Sequence, residues 1–253
     1  MKIFYYLRIF YLYVEALVYD SRAEDPSLPR PKFFDHLNGL DYLLNNFDKE
    51  GITILEVGSK EVTGPSIIKS KLTKAKYIGI DISSGRNVDI VCDAHELSKF
   101  VENGSIDVVY SQSVFEHLYA PWLVAEEISK ILKINGYVFI DTHWNFKSHE
   151  RPWNFFNFSD LGLKALFNNA LGFQCIDSGL DLPIRGRFSI RGPKYLRMKE
   201  VYGLMSHSYY AGKKISDMKK EPSEQCFNWR NANPSIECKD NVYPSIEDNI
   251  LGK

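Results

Sequence analysis

Residues 54–66 read ILEVGSKEVTGPS: an apolar run, an acidic residue, a glycine and then a polar loop. A buried strand entering a turn at its carboxyl end has this composition, and in a βα unit that turn is where a ligand meets the backbone. The spacing departs from a dinucleotide loop. Pyrophosphate is held by backbone N–H groups at a helix N-terminus, and a G-x-G-x-x-G spacing opens the room for it. Here Gly58-Ser59-Lys60-Glu61 has Lys60 where the second glycine would stand and adds an acidic residue. No GxxxxGK[ST] run occurs either. The loop suits a ligand with a ribose and a base but no phosphate.

On either side of this stretch, strand and helix signals alternate. Residues 52–57, 76–81, 88–92, 106–111 and 136–142 are apolar runs that read as buried strands. Residues 65–73, 94–102 and 121–133 read as the helices between them, and Pro121 is suited to a helix start. Residues 35–48 carry Leu37, Leu40, Leu43, Leu44 and Phe47 at helical spacing, and residues 159–170 form a further helix with Ser159 as N-cap. A strand at 172–179 follows, and 201–215 reads as a last strand. The expected architecture is α/β: a Rossmann-like, doubly wound, mainly parallel seven-stranded sheet with helices on both faces. The expected organisation is an N-terminal aromatic helix and linker over residues 1–34, one domain over 35–215, and a weakly ordered or partner-dependent tail over 216–253.

The 253 residues are 44% hydrophobic and 25% charged, ordinary values for a soluble globular protein. A net charge of −1 provides no electrostatic basis for binding nucleic acid. Cys92, Cys175, Cys226 and Cys238 are scattered, without zinc-ligand spacing, so reduced thiols in a cytoplasmic setting are expected, with a Cys226–Cys238 bridge as the exception. The opening MKIFYYLRIFYLYVEALVYD is interrupted by Arg8 and Glu15, too short and charged to span a membrane, and poor as a signal peptide. It is suited to docking on the protein's own body or on a partner subunit, including another copy, or to lying in a membrane interface.

Ligands of open α/β sheets bind outside the carboxyl ends of the strands. Polar residues fall there in order: Glu56 and Gly58 after the first strand, Asp81 at the second, Asp93 and Ala94 at the third, Ser111, Gln112 and Ser113 at the fourth, and Asp141 and His143 at the fifth. Asp81 lies 23 residues beyond Gly58, a spacing that suits the two hydroxyls of a ribose. Asp93 can accept a hydrogen bond from an exocyclic amine such as that of adenine. Together they describe an adenosine-shaped site.

These residues resemble the motifs of class I S-adenosylmethionine-dependent methyltransferases, over about residues 35–180. ILEVGS resembles the first motif, YIGID the second, VCDAHEL the third, IDVVYSQSVFEHL the fourth and ILKINGYVFIDT the entry to the fifth strand. HERPWNFFNFSDLGLKALF resembles the aromatic stretch and helix of a small-molecule branch with a type 11-like methyltransferase domain. The resemblance implies S-adenosyl-L-methionine as cofactor. It implies that Glu56 orients water or the amino group of the methionine part, while Gly58 and Ser59 make the close backbone approach. Asp81 would hold the ribose with Ile82 against the adenine face, and Asp93 and Ala94 would read the adenine edge. Ser111, Gln112 and Ser113 would line the floor beneath the sulfonium. Lys60 in place of the second motif glycine, with Gly64 only later, implies a longer or differently bent loop.

For methyl transfer to oxygen a base is expected among Asp141, His143 and His149. His117, in FEHL, reads as a packed or capping residue. Asp141-x-His143 offers two metal ligands without a third, so no metal is expected. Trp144, Trp153, Phe155, Phe156 and Phe158 would stack on a flat acceptor or form a lid core. The acceptor expected from the resemblance is a small molecule, a hydroxyl of a sugar or related metabolite. The competing expectations are a non-catalytic methyltransferase-like scaffold and a nicotinamide dehydrogenase, the latter disfavoured by the missing glycines.

Overall fold

The computed structural model describes residues 2–23, 25–62, 64 and 66–218. Its centre is a seven-stranded sheet in the order β3-β2-β1-β4-β5-β7-β6. β1 (Thr53–Val57) is flanked by β2 (Lys76–Asp81) and β4 (Ile106–Gln112), both parallel to it, with β3 (Ile90–Val91) beyond β2. β5 (Leu132–His143) runs parallel to β4. β7 (Glu200–Lys214) inserts antiparallel between β5 and β6 (Phe173–Arg187). The chain leaves β1 toward β2 on one side and reaches β4 on the other. The carboxyl ends of β1 and β4 therefore border the crevice where strand order reverses.

The strands hold their register because both faces are covered. Leu55, Val57, Val109, Val138 and Ile140 pack on one face with α4 (Pro121–Ile131) and α5 (Asp160–Leu166). Ile54, Val108, Phe139 and Tyr209 pack on the other with Leu43 of α2 (Gly39–Phe47). Each such side chain removed from water contributes roughly 1.5–3 kcal/mol. A shift of one residue would exchange the two faces of the moved strand.

Several boundaries differ from those expected. The helix expected over 65–73 is α3 (Ile67–Lys71). Ser66 caps its start, and beyond its end the Asp48 carboxylate accepts from the amides of Thr73, Lys74 and Ala75 at 3.0, 2.7 and 2.9 Å, which draws the chain out of the helix. The segment 94–102 forms 3-10 turns over Ala94–Lys99, with a kink at Glu96. Side-chain acceptors take its amides instead of helical carbonyls: Asp93 accepts from His95 N and Glu127 from Ser98 N. β5 begins at Leu132, four residues earlier than expected. Leu132 is fully buried and pairs with Ile106, and the Asn135-Gly136 pair lies inside the strand instead of stopping the helix. β6 and β7 extend to 15 residues each.

Residues 29–34 run along β6. Leu180 N donates to Pro29 O, and the buried Asp177 carboxylate accepts from the amides of Lys32, Phe33 and Phe34 at 2.9–3.0 Å. Phe34 then sits against Phe139 and Tyr209. α1 (Lys2–Ala23) is different. Its residues Phe4–Val14 remain exposed, so this part of the helix does not dock on the protein's own body. Among the described residues, no helix is long and apolar enough to cross a membrane. The expectations for the tail from residue 219 onward, the Cys226–Cys238 bridge included, lie outside the described residues.

Candidate active site

Gly58 ends β1 with φ +78°, in the left-handed region open to glycine. A Cβ here would lie 2.1 Å from Val114 Cγ2, so the turn is closed to every other residue. Gly58 N and Ser59 N both donate to Ile80 O at 2.9 Å, binding the turn to β2. Ser59 is buried, and its hydroxyl has no hydrogen-bond partner among the described residues. A buried hydroxyl without a partner beside a glycine turn at a strand end is a position that a polar ligand would satisfy.

Glu56, the residue before Val57, is 8% exposed and already well supplied with donors. Ser66 Oγ donates to its Oε2 at 2.9 Å, Asn87 Nδ2 approaches at 3.4 Å, and the Tyr77 hydroxyl makes a short hydrogen bond to the same oxygen. Burial pushes the Glu56 carboxyl above its ordinary range, although these donors oppose the rise. Burial and the neighbouring Glu56 push the Tyr77 phenol upward as well, so it stays protonated as a donor.

Lys60, in the position where a second glycine was missed, crosses to the next loop. Its amide donates to Asp81 Oδ2 at 3.2 Å and its Nζ to Ser83 Oγ at 3.0 Å. The Lys60 stem lies on Gly85, where an added Cβ would come within 2.9 Å of Lys60 Cγ. Asp81 Oδ1 accepts from Ser83 N at 3.0 Å, so the carboxylate is oriented at the end of β2 by both loops. Ile82 beside it is exposed, presenting an apolar face to solvent.

Asp93 accepts from His95 N at 2.9 Å and faces His95 Nδ1 at 2.5 Å. Burial raises the Asp93 carboxyl, but these His95 contacts outweigh it and hold the group below its ordinary range. Ala120 N donates to His95 Nε2, which makes the ring an Nδ1–H tautomer. The ring stacks on Tyr119 at 4.1 Å between centroids. Ala94 opens the 3-10 turn that follows Asp93. Neither His95 nor Tyr119 was singled out from the sequence. The signal available was the CDAHEL run, in which the histidine follows the acidic residue by two.

At the end of β4, Ser111 Oγ donates to Val57 O at 3.1 Å. Gln112 Nε2 donates to Asp141 Oδ2 at 3.0 Å, and Ser113 takes a left-handed φ of 52° as its amide donates to Asp141 O. Asp141 is buried, and its second oxygen meets His207 Nδ1 at 2.6 Å. The three expected base candidates therefore separate. Asp141 is engaged by Gln112 and His207. His143 and His149 stand together, their rings perpendicular with centroids 5.1 Å apart. Glu116, from the turn after β4, joins them: its Oε1 lies 2.5 Å from His143 Nδ1 and its Oε2 accepts from Thr142 Oγ1. Burial raises the Glu116 carboxyl, but His143 and Thr142 outweigh it and hold the group below its ordinary range. His117 Nδ1 donates to Trp153 O at 2.9 Å, the packed role expected of it.

The aromatic stretch wraps this corner. Phe155 N and Phe156 N donate to Glu116 O, and Phe158 N to His143 O. Phe146 stacks on His143 at 4.2 Å, while Trp153, Phe155 and Phe156 remain partly exposed. Glu116 and His207 escaped the sequence reading for different reasons. Glu116 was hidden in the FEHL turn, and His207 reaches β5 only through the antiparallel register His143↔His207.

Residues 53–140 match a family model described as "Methyltransferase domain". No curated protein matches the chain. Among solved structures, the complex between the Haloferax volcanii Trm112 methyltransferase activator and the methyltransferase described with it contains a chain that aligns at TM-score 0.50. The two are 17% identical, with 71% of this chain and 90% of that chain covered. Burkholderia thailandensis 1,6-didemethyltoxoflavin-N1-methyltransferase, with bound 1,6-didemethyltoxoflavin and S-adenosylhomocysteine, aligns at 0.50 with 12% identity, covering 70% and 76% of the two chains. At these identities the likeness is one of fold. The family match and the strand order agree: residues 53–140 are similar to a methyltransferase domain in sequence and in fold.

Proposed function

We propose that the chain transfers a methyl group to an oxygen of a small-molecule acceptor, a hydroxyl of a sugar or related metabolite. The observation that carries this reading is the polar corner at the end of β5, where His143, His149 and Glu116 converge beneath an aromatic wall. Such a corner can hold and deprotonate a hydroxyl, while exposed Trp153, Phe155 and Phe156 offer rings to an acceptor's apolar face.

When bound, S-adenosyl-L-methionine supplies an electrophilic methyl on sulfur. The protein's part is to hold and align. The Gly58 turn and the unpartnered Ser59 hydroxyl suit the methionine part, and Asp81 suits the ribose hydroxyls. Ile82 would cover one adenine face and Asp93 with Ala94 would meet its edge, beside the His95–Tyr119 stack. Glu56, with Ser66, Tyr77 and Asn87 converging on it, holds the loop in shape. Ser111, Gln112 and Ser113 form the floor. Asp141 acts as a positioning group through His207 and Gln112, and His143 or His149 takes the acceptor proton. We assign the methyltransferase domain to 35–215 and a cytoplasmic setting, in keeping with the reduced thiol of buried Cys92.

A non-catalytic methyltransferase-like scaffold is the second reading, motivated by Lys60. Its contacts with Asp81 and Ser83 close the loop on the carboxylate meant for ribose. Isothermal titration with S-adenosylmethionine separates the two. We expect saturable binding that Asp81→Ala weakens by at least about 100-fold, the loss of about two charge-assisted hydrogen bonds, without unfolding the chain. No detectable binding at millimolar cofactor would sink the enzyme reading, and unchanged affinity in Asp81→Ala would refute the ribose assignment.

A further inference from the structure

We infer that Glu116, His143 and His149 form a binding site for a first-row divalent cation of the zinc class. One ligand atom of each lies within 4.8 Å of the others, among the described residues. Three segments supply them: the turn after β4, and, well beyond it in the chain, the end of β5 and the aromatic loop that follows. Zinc–nitrogen and zinc–oxygen distances of about 2.0–2.2 Å require the three donors to draw somewhat closer together. His149 lies on a loop and is only partly buried, so it is the ligand with room to move.

Two buried atoms without directed partners point independently to a ligand. Glu116 is fully buried and His143 is 6% exposed, yet Glu116 Oε1 and His143 Nδ1 have no hydrogen-bond partner among the described residues. They lie 2.5 Å apart without the alignment of a hydrogen bond, although their charges attract when the ring is protonated. Two crowded Lewis bases in a closed site are satisfied together by one cation. A buried carboxylate oxygen left without a directed donor is otherwise costly.

The surroundings match the arrangement seen around metal ligands generally, in which outer groups orient the inner ones. Thr142 Oγ1 donates to Glu116 Oε2 and leaves Oε1 as the coordinating oxygen. His149 Nδ1 lies 3.1 Å from Lys147 O, so that nitrogen donates and Nε2 keeps the lone pair. Phe146 stacks on His143 and shields one ring face. His117 Nε2 is 3.9 Å from Glu116 Oε1 and 3.7 Å from Glu150 Oε2, placing further donors at the rim.

Two imidazoles and one carboxylate favour zinc, cobalt or iron over magnesium and calcium, which prefer oxygen ligands. Three protein ligands leave coordination positions open, as in catalytic metal sites. An acceptor hydroxyl bound there would be oriented and made more acidic, and with both imidazoles holding the cation its proton would pass to solvent instead of to His143 or His149. That use of the cation rests on the proposed methyl transfer, whereas binding of the cation does not.

The test uses the full chain, stripped with chelator and titrated with Zn2+ by calorimetry and with Co2+ by visible absorption. We expect one Zn2+ per chain and a Co2+ spectrum of a low-coordinate nitrogen–oxygen site. His149→Ala and Glu116→Gln should each weaken Zn2+ binding by at least about 100-fold. His149 lies on a loop, so its variant remains informative even if Glu116→Gln fails to fold. Absence of stoichiometric Zn2+, or Zn2+ affinity unchanged in His149→Ala, overturns the site. Cofactor titration of the same variants separates the readings: intact S-adenosylmethionine binding with lost Zn2+ binding supports the site. Zn2+ binding without cofactor binding supports the site and removes the methyl-transfer reading.

Discussion

His207 shows how one side chain can tie stability to pH. It lies on β7, opposite His143 in the register, and its Nδ1 meets the buried Asp141 carboxylate. Burial lowers the affinity of the ring for its proton, but Asp141, Glu116 and Asp181 outweigh this, and the pKa is raised from 6.5. A group with a raised folded pKa contributes stability that is fully present below its unfolded value and is lost as pH rises through the folded value. The chain should therefore lose stability as pH climbs above about 6.5, the ordinary histidine range. His207→Gln should flatten that part of the profile. Thermal unfolding of both forms over this window checks it, and parallel slopes would show that the pair contributes nothing.

At the scale of elements, a few carboxylates decide where segments begin, end and attach. Asp48 draws out the chain after α3, and Asp93 starts the 3-10 turns with its own cap. Amide donors, Ala75 first, hold the Asp48 carboxyl well below its ordinary range. Asp177 has the largest structural reach, since it gathers the amides of Lys32, Phe33 and Phe34 onto β6 from 143–145 residues away. Asp177→Ala leaves three amides without their acceptor in a closed interface. We expect a loss of about 3 kcal/mol, the cost of stranding buried donors of a charged hydrogen-bond network. Urea unfolding would measure it, and limited proteolysis should show residues 25–34 newly cleaved. Loss of stability without new cleavage there would mean that Phe34 alone holds the segment.

For the whole molecule, the sheet and its two apolar layers form a body to which Phe4–Val14 contribute little, since these residues are exposed. A row of exposed aromatics is suited to a second copy, another subunit or a membrane interface. Removing residues 1–14 should change the unfolding free energy by less than about 0.5 kcal/mol and leave cofactor affinity unaltered. It should also abolish any self-association or vesicle binding of the full chain, read by sedimentation. A large loss of stability would instead make the helix part of the core.

The sequence by itself determined the layered α/β architecture, because apolar period and strand-end polarity are local properties that survive without knowledge of neighbours. ILEVGS could be read as a strand entering a glycine turn, and Asp81 and Asp93 as strand ends, from their own surroundings alone. The Lys60 puzzle was visible but not its resolution, since the contacts with Ser83 and Gly85 exist only after two loops meet. Where helices stopped was likewise hidden: the acceptors that ended α3 and kinked 94–99 came from Asp48 and Glu127, far along the chain. Only the tertiary structure brought Glu116 to His143 and His149 and turned Asp141 toward His207. Side-chain convergence depends on strand register and on which loops fold over which ends, and neither is encoded in local spacing.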